Sequence, residues 1–215
     1  MADRPNVHQL PRGSHKLTRD EVLSSQRGRM LAAIGEAVAE RGYANTPVAE
    51  VLKRAGVSRE TFYEQFSGKE DCFLAALDAG TQAMLATLAM AVGDPGGDPL
   101  DTVDRVIRAY LDALASEPAF THAFFIEAAA ASPAALARRV AIQGQFVDAV
   151  AAIVGARRAA DRFACELLVA GISQLVTMRV ALGQTAELRK LRRPIMQFVR
   201  ESPLADVASG GRAVG

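Results

Sequence analysis

The stretch Thr46-Pro47-Val48-Ala49-Glu50-Val51-Leu52-Lys53-Arg54-Ala55-Gly56-Val57-Ser58-Arg59-Glu60-Thr61-Phe62-Tyr63-Glu64-Gln65-Phe66 decides how this chain is read. Thr46 followed by Pro47 is a helix-start signal, an N-cap and then proline in the first helical position. Val48, Val51, Leu52 and Ala55 keep helical spacing until Gly56, where a left-handed turn needs glycine. Ser58 caps a second short helix, which Phe62 and Phe66, four residues apart, tie to a core. Ala55 is small enough for the two helices to cross closely, and Val57 points inward. The pattern predicts a helix-turn-helix, a motif whose second helix enters the major groove of DNA.

Working outward, Thr18 and Glu21 form a capping box that opens an earlier helix. Val22, Met30, Ile34, Ala37 and Val38 give it one apolar stripe, and Gly42 closes it. Ser67-Gly68 ends the second short helix, and a long fourth helix follows to about residue 92. The clearest loop is 93–99, Gly-Asp-Pro-Gly-Gly-Asp-Pro. Helices are then expected over 100–117, 119–131, 133–154 and 157–183. A last one begins at Thr185, carries Leu188, Leu191, Ile195, Phe198 and Val199, and stops at Pro203. Nothing alternates at period two for long enough to form a strand. The expected fold is all-α. Residues 1–17 form a flexible basic arm, 18–68 a three-helix DNA-binding domain, 69–202 a helical ligand-binding and dimerising body, and 203–215 a disordered tail.

Composition supports helix and restrains the charge argument. Of 215 residues, 50% are hydrophobic and only 6% aromatic, while the formal net charge is +1. Bulk charge therefore does not announce nucleic-acid binding, and any basic surface must be local. Residues 4–29 supply one, with Arg4, Arg12, Lys16, Arg19, Arg27 and Arg29 against Asp20 and Glu21. Residues 10–15, Leu-Pro-Arg-Gly-Ser-His, look like a cleaved expression tag, but Leu10 and Lys16 depart from that pattern and the stretch is read as native. Cys72 and Cys165 sit in apolar surroundings and are read as reduced, buried thiols of a cytoplasmic protein. The N-terminus lacks an apolar leader. Charged or amide residues interrupt the longest apolar runs, so no membrane span is expected.

The second short helix offers Ser58, Arg59, Thr61, Tyr63 and Gln65 on its polar side, groups suited to phosphates and base edges. Arg59 has the fork that matches guanine O6 and N7. Thr46 and Lys69 are further phosphate candidates. Arg4, Arg12 and Lys16 are candidate arm contacts in the minor groove.

The run from Gly42-Tyr43 through the Ala-Gly-Val-Ser turn, the Thr-Phe-Tyr core and the Phe-Ser-Gly-Lys-Glu exit (66–70) strongly resembles the TetR family of bacterial regulators. The likeness covers roughly residues 18–77. Pro47 and Val48 stand where many members carry polar residues. The resemblance implies an all-helical homodimer that binds a double-stranded DNA operator, with a small-molecule effector in the second domain and a four-helix dimer interface. Leu167, Leu168, Gly171, Leu175 and Met178 form a stripe suited to that interface. An effector pocket is expected among Tyr110, Phe120, His122, Phe124, Phe125, Phe146 and Met178. The leading expectation is a repressor released by a small, largely apolar ligand; an architectural DNA binder without effector is the alternative. No phosphate loop, nucleophile elbow or paired carboxylates point to an enzyme. His8, His15 and His122 lack acidic company, so no metal or cofactor is expected.

Overall fold

A computed structural model describes residues 19–93 and 97–210, with residues 19–22 described by their backbone alone. Thr18, Arg4, Arg12 and Lys16, and residues 211–215, lie outside the described residues. Those described form helices joined by turns, with no strand among them.

Four helices open the chain: α1 (Arg19–Arg41), α2 (Val48–Ala55), α3 (Arg59–Gln65) and α4 (Lys69–Val92). α1 exists as a packing element, since Met30, Ile34, Ala37 and Val38 are completely covered. Gly42, at φ 78, ends it with its N–H on the Val38 carbonyl at 2.8 Å. Thr46 is not the N-cap of α2. Its hydroxyl turns back to the carbonyls of Gly42 (2.8 Å) and Ala37 (3.2 Å), and the side chain is fully buried. Helix ends leave carbonyls without partners, and a nearby hydroxyl satisfies them. Pro47, extended at φ −78, takes the cap position instead.

Gly56 sits at φ 62, and the Val57 N–H reaches the Leu52 carbonyl at 3.2 Å, closing α2 with a Schellman-type turn. The Ser58 hydroxyl then accepts the Thr61 N–H at 3.1 Å. α3 has only seven residues, too few to persist alone. Phe62 and Phe66, at 0% and 2% exposure, hold it in place. Burying each contributes about 2–3 kcal/mol.

The body begins with α5 (Pro99–Ser116), capped by the Asp98 carboxylate on the Leu100 N–H at 2.8 Å. Next come α6 (Pro118–His122), a π-helical turn (Ala123–Glu127) and α7 (Ala128–Ala131). The single helix expected over 119–131 thus contains one wide turn. α8 (Pro133–Val154) starts where Ser132 caps the Ala135 N–H at 3.2 Å, and α9 (Ala159–Ala181) follows. A 3-10 segment (Thr185–Leu191) leads into α10 (Arg192–Glu201).

The expected tail does not begin at Pro203. Pro203–Ala208 forms α11, with the Ser202 hydroxyl accepting the Leu204 N–H at 3.3 Å. Proline suits a first helical turn as well as it stops a preceding helix. Leu204, only 1% exposed, anchors this turn among α5, α8, α9 and α10. By length and composition, α4 and α9 are each apolar enough to cross a membrane, contrary to the sequence expectation. In the fold α4 packs on α1 and α5, and α9 packs on α8.

Candidate nucleic-acid interface and effector cavity

α3 carries an exposed polar face. Ser58, Arg59 and Tyr63 are exposed, and Thr61 is half-covered beside Ser58, their hydroxyls 2.9 Å apart. The Arg59 guanidinium lies over the Tyr63 ring, 5.3 Å from its centroid, which restricts both side chains. Gln65 is partly withdrawn, its amide donating to the Leu23 carbonyl at 3.4 Å. Thr46 does not belong to this face, because its hydroxyl is spent on the end of α1.

Two arginines of α1 join the face, a grouping the linear sequence conceals. Arg27 lies over the Phe66 ring at 4.5 Å, and Arg29 stands beside Gly56. Arg54 of α2 is committed elsewhere. It pairs with Glu40 of α1 and, at 2.8 Å, with Glu50, which also meets Arg41 at 3.4 Å. Hydrogen bonds from Arg54 hold both carboxyls below their usual range, and Arg54 is raised in turn.

Tyr43, in the link between α1 and α2, is a junction. Lys69 donates to its carbonyl at 2.8 Å and sits 4.1 Å from its ring centroid. Its own N–H donates to the Glu127 carboxylate at 2.8 Å, at the end of the π-helical turn. Burial pushes the Tyr43 phenol up. Lys69 is therefore held at the base of α4, half-covered, with ammonium protons left over for a phosphate.

In the body, Tyr110, Phe124, Phe125 and Phe146 wall one cavity of about 70 Å³, together with Arg139, Gln143 and Ser173. Tyr110 and Phe146 meet at 5.7 Å between ring centroids. A second cavity, about 470 Å³, shares Leu88, Val106, Phe146 and Val150 with the first. Phe120 lies off the first wall, against Gly80 of α4. His122 is not a wall residue of these cavities, and its Nδ1 is buried without a hydrogen-bond partner among the described residues. Met178 is 53% exposed and belongs to the outer face of α9, so it does not line the pocket. Leu168 is likewise corrected: it is buried, one residue round the helix from exposed Leu167.

Cys72 and Cys165 are buried free thiols, and burial pushes Cys72 up to about 12 and raises Cys165. Such thiols are unreactive. Among the described residues no cluster of His, Cys, Asp and Glu is suited to a metal.

Residues 30–76 match the profile described as bacterial regulatory proteins, tetR family. Over that stretch, the chain is similar to the TetR family. The helix-turn-helix of α2 and α3 lies within that match. One relative is the HTH-type transcriptional activator FasR of Mycolicibacterium smegmatis, 33% identical over 81 residues. That match takes in 38% of this chain and spans about a third (35%) of FasR. TetR-family likeness in the body is a likeness of fold. The fatty acid degradation regulator FadR from Bacillus halodurans superposes with a TM-score of 0.72 at 16% identity, over 87% of this chain and 96% of that one. FadR from Bacillus subtilis, solved in complex with stearoyl-CoA, gives 0.71 at 18%, over 80% and 96%. A transcriptional regulator from Rhodococcus sp. Rha1 gives 0.64 at 26%, over 81% and 96%.

Proposed function

We propose that this protein is a TetR-family regulator, a cytoplasmic, homodimeric repressor that leaves its operator when a small, largely apolar ligand fills the body. The observation that carries the DNA half is the α3 face: Arg59 and Tyr63 exposed and stacked, Phe62 and Phe66 buried behind them. In this reading Arg59 reads a base edge, while Ser58, Thr61, Tyr63, Gln65 and Lys69 position the phosphates. Arg27 and Arg29 add positive potential, and Arg4, Arg12 and Lys16 extend it into the minor groove. Thr46 has no part in it.

Two copies would place their α3 helices about 34–36 Å apart, one turn of B-DNA. Support for a dimer comes from α9. Phe163, Leu167, Leu175, Met178 and Leu182 follow one another at helical spacing and are 40–66% exposed, with Gly171 among them. Phe198 of α10 is exposed as well. So much uncovered apolar side chain on one face fits a partner helix pair.

The release step has a physical route. Phe124 and Phe125 wall the cavity from the π-helical turn, and Glu127, at its end, holds the Tyr43 N–H. A ligand that spreads the cavity would shift this turn and, through Tyr43, the seat of α2. A differential affinity of about 5.5 kcal/mol takes a two-state population from 1:99 to 99:1.

Gel-shift binding to the DNA upstream of its own gene tests the reading. Arg59→Ala is expected to weaken specific binding by roughly 1–3 kcal/mol. Deleting residues 2–17 should flatten the salt dependence. Equal binding to unrelated probes would sink the operator idea. Activation is the second reading, favoured by the name of FasR. A promoter fusion in a deletion strain separates the two by the sign of the change.

A further inference from the structure

Arg139 of α8 is out of character for the wall it occupies. Its neighbours there are mostly apolar, among them Leu88, Val106, Ile142 and Val169. Arg41, Arg54, Arg158 and Arg192 each reach a carboxylate, whereas Arg139 forms no ion pair among the described residues. Among the described residues its one side-chain hydrogen bond runs from Nη2 to the Thr177 hydroxyl at 3.3 Å. The guanidinium carbon also lies 5.6 Å from the Phe125 ring centroid. Burial pulls its pKa down. Arginine nonetheless stays protonated in proteins, so the cation persists, half-buried, at the cavity wall. A half-buried cation with no counter-ion among the described residues has lost part of its hydration, and an anion would offset that loss.

The polar groups of the cavity gather near this cation. Gln143 follows Arg139 by one helical turn, and Ser173 precedes Thr177 by one on α9. Beyond Phe146, a wall residue of both, lies the second cavity. That space runs to Val92 and Ile153, and its wall holds Thr102 as the one polar side chain among the described residues. One end is cationic and hydrogen-bonding, the other apolar.

We infer that the effector is a chain-like carboxylate, its acid group received by Arg139 and its hydrocarbon tail lying past Phe146 towards Val92 and Ile153. The inference rests on the effector reading above and narrows it. A carboxylate presents two oxygens to the guanidinium fork, a match that a neutral head lacks. Gln143 and Ser173 stand ready to donate to the same oxygens. The ligand supplies the counter-ion that the described residues do not.

Calorimetric titration of the full-length protein tests this with decanoate, methyl decanoate and decanoyl-CoA, on wild type and on Arg139→Gln. Decanoate should bind wild type about tenfold to a hundredfold tighter than the ester, as a charge-assisted hydrogen-bonded pair implies. Arg139→Gln should remove that preference while leaving ester binding within about twofold, the scatter expected where no charged contact changes. Arg139→Lys, which keeps the charge without the fork, should fall between, and guards against a folding defect in the glutamine variant. Equal wild-type binding of ester and acid overturns the carboxylate, as does a preference that survives Arg139→Gln. Tighter binding of decanoyl-CoA that is indifferent to Arg139 also overturns it, placing the head outside this cavity. Gel shift with each probe separates the two levels of failure. If the ester releases DNA as well as the acid, the carboxylate fails and the effector reading stands. If no probe binds, the inference fails here without touching the DNA-binding half.

Discussion

At the scale of single residues, small contacts place large elements. Gly80 of α4 lies directly beneath the Phe120 ring of α6. A methyl group there would come within 2.0 Å of the ring, far inside van der Waals contact. Gly80→Ala should therefore displace Phe120 and destabilise by roughly 1–3 kcal/mol, as overpacking does. Calorimetry would record this as a fall in Tm of about 2–4 °C per kcal/mol for a chain of this size. Phe120→Ala in the same background should restore part of the loss, and a strictly additive double variant would show that the two do not compete for the same space. Glu127 works in the opposite sense, by attraction. Its carboxylate accepts the Tyr43 N–H at 2.8 Å and joins the body to the entry of the helix-turn-helix.

At the scale of elements, each helix has a face chosen by its neighbours. α3 is held by Phe62 and Phe66 and has little length of its own. α9 is buried along Cys165, Leu168, Val176 and Val180 and bare along Phe163, Leu167, Leu175 and Met178. If the bare face is the dimer seam, Leu175→Lys places a charge at its centre. The variant should run as a monomer in light scattering and lose specific DNA affinity, while keeping its helical circular-dichroism signal. A variant that remains dimeric would move the seam elsewhere. The π-helical turn within α6–α7 is the other element with an assignable role, since wide turns inside helices recur at functional sites. Here it carries Phe124 and Phe125 into the cavity and Glu127 towards Tyr43.

At the scale of the whole molecule, ion pairs tie the N-terminal unit together. Arg54 links α2 to Glu40 of α1, and Glu50 joins Arg41. Both carboxyls lie below their ordinary value of 4.5 when folded. Their contribution is therefore complete above that value and is lost as the pH falls through the lowered folded values. Arg54→Gln should reduce Tm near neutral pH, and the gap to wild type should close as the pH drops below about 4, the range in which paired carboxylates take up protons. Water and salt screen this partly exposed pair, so the gap should also shrink at high salt. A gap that is constant from pH 7 to pH 3 would assign the effect to packing of the arginine stem instead.

How much was legible follows from how local each cause is. The turn at Gly56, the Ser58 cap, the Gly42 stop and the buried pair Phe62 and Phe66 are set by neighbours within a few residues, so the sequence by itself determined the helix-turn-helix and the all-helical class. It misjudged Thr46, because a hydroxyl able to cap the next helix could also bond back to the previous one, and only packing chose. It misjudged Pro203 for the same kind of reason, since the buried seat of Leu204 comes from helices distant in the chain. Nothing near Arg139 in the sequence marks it as unpaired; that no counter-ion reaches it among the described residues is a property of α5, α8 and α9 together. The tertiary structure alone decided which aromatics share a cavity, that Met178 and Leu167 face outward, that Arg27 and Arg29 stand beside α3, and that Glu127 meets Tyr43. Those are relations between side chains far apart in sequence, and the physical forces that fix them act only once the helices are packed.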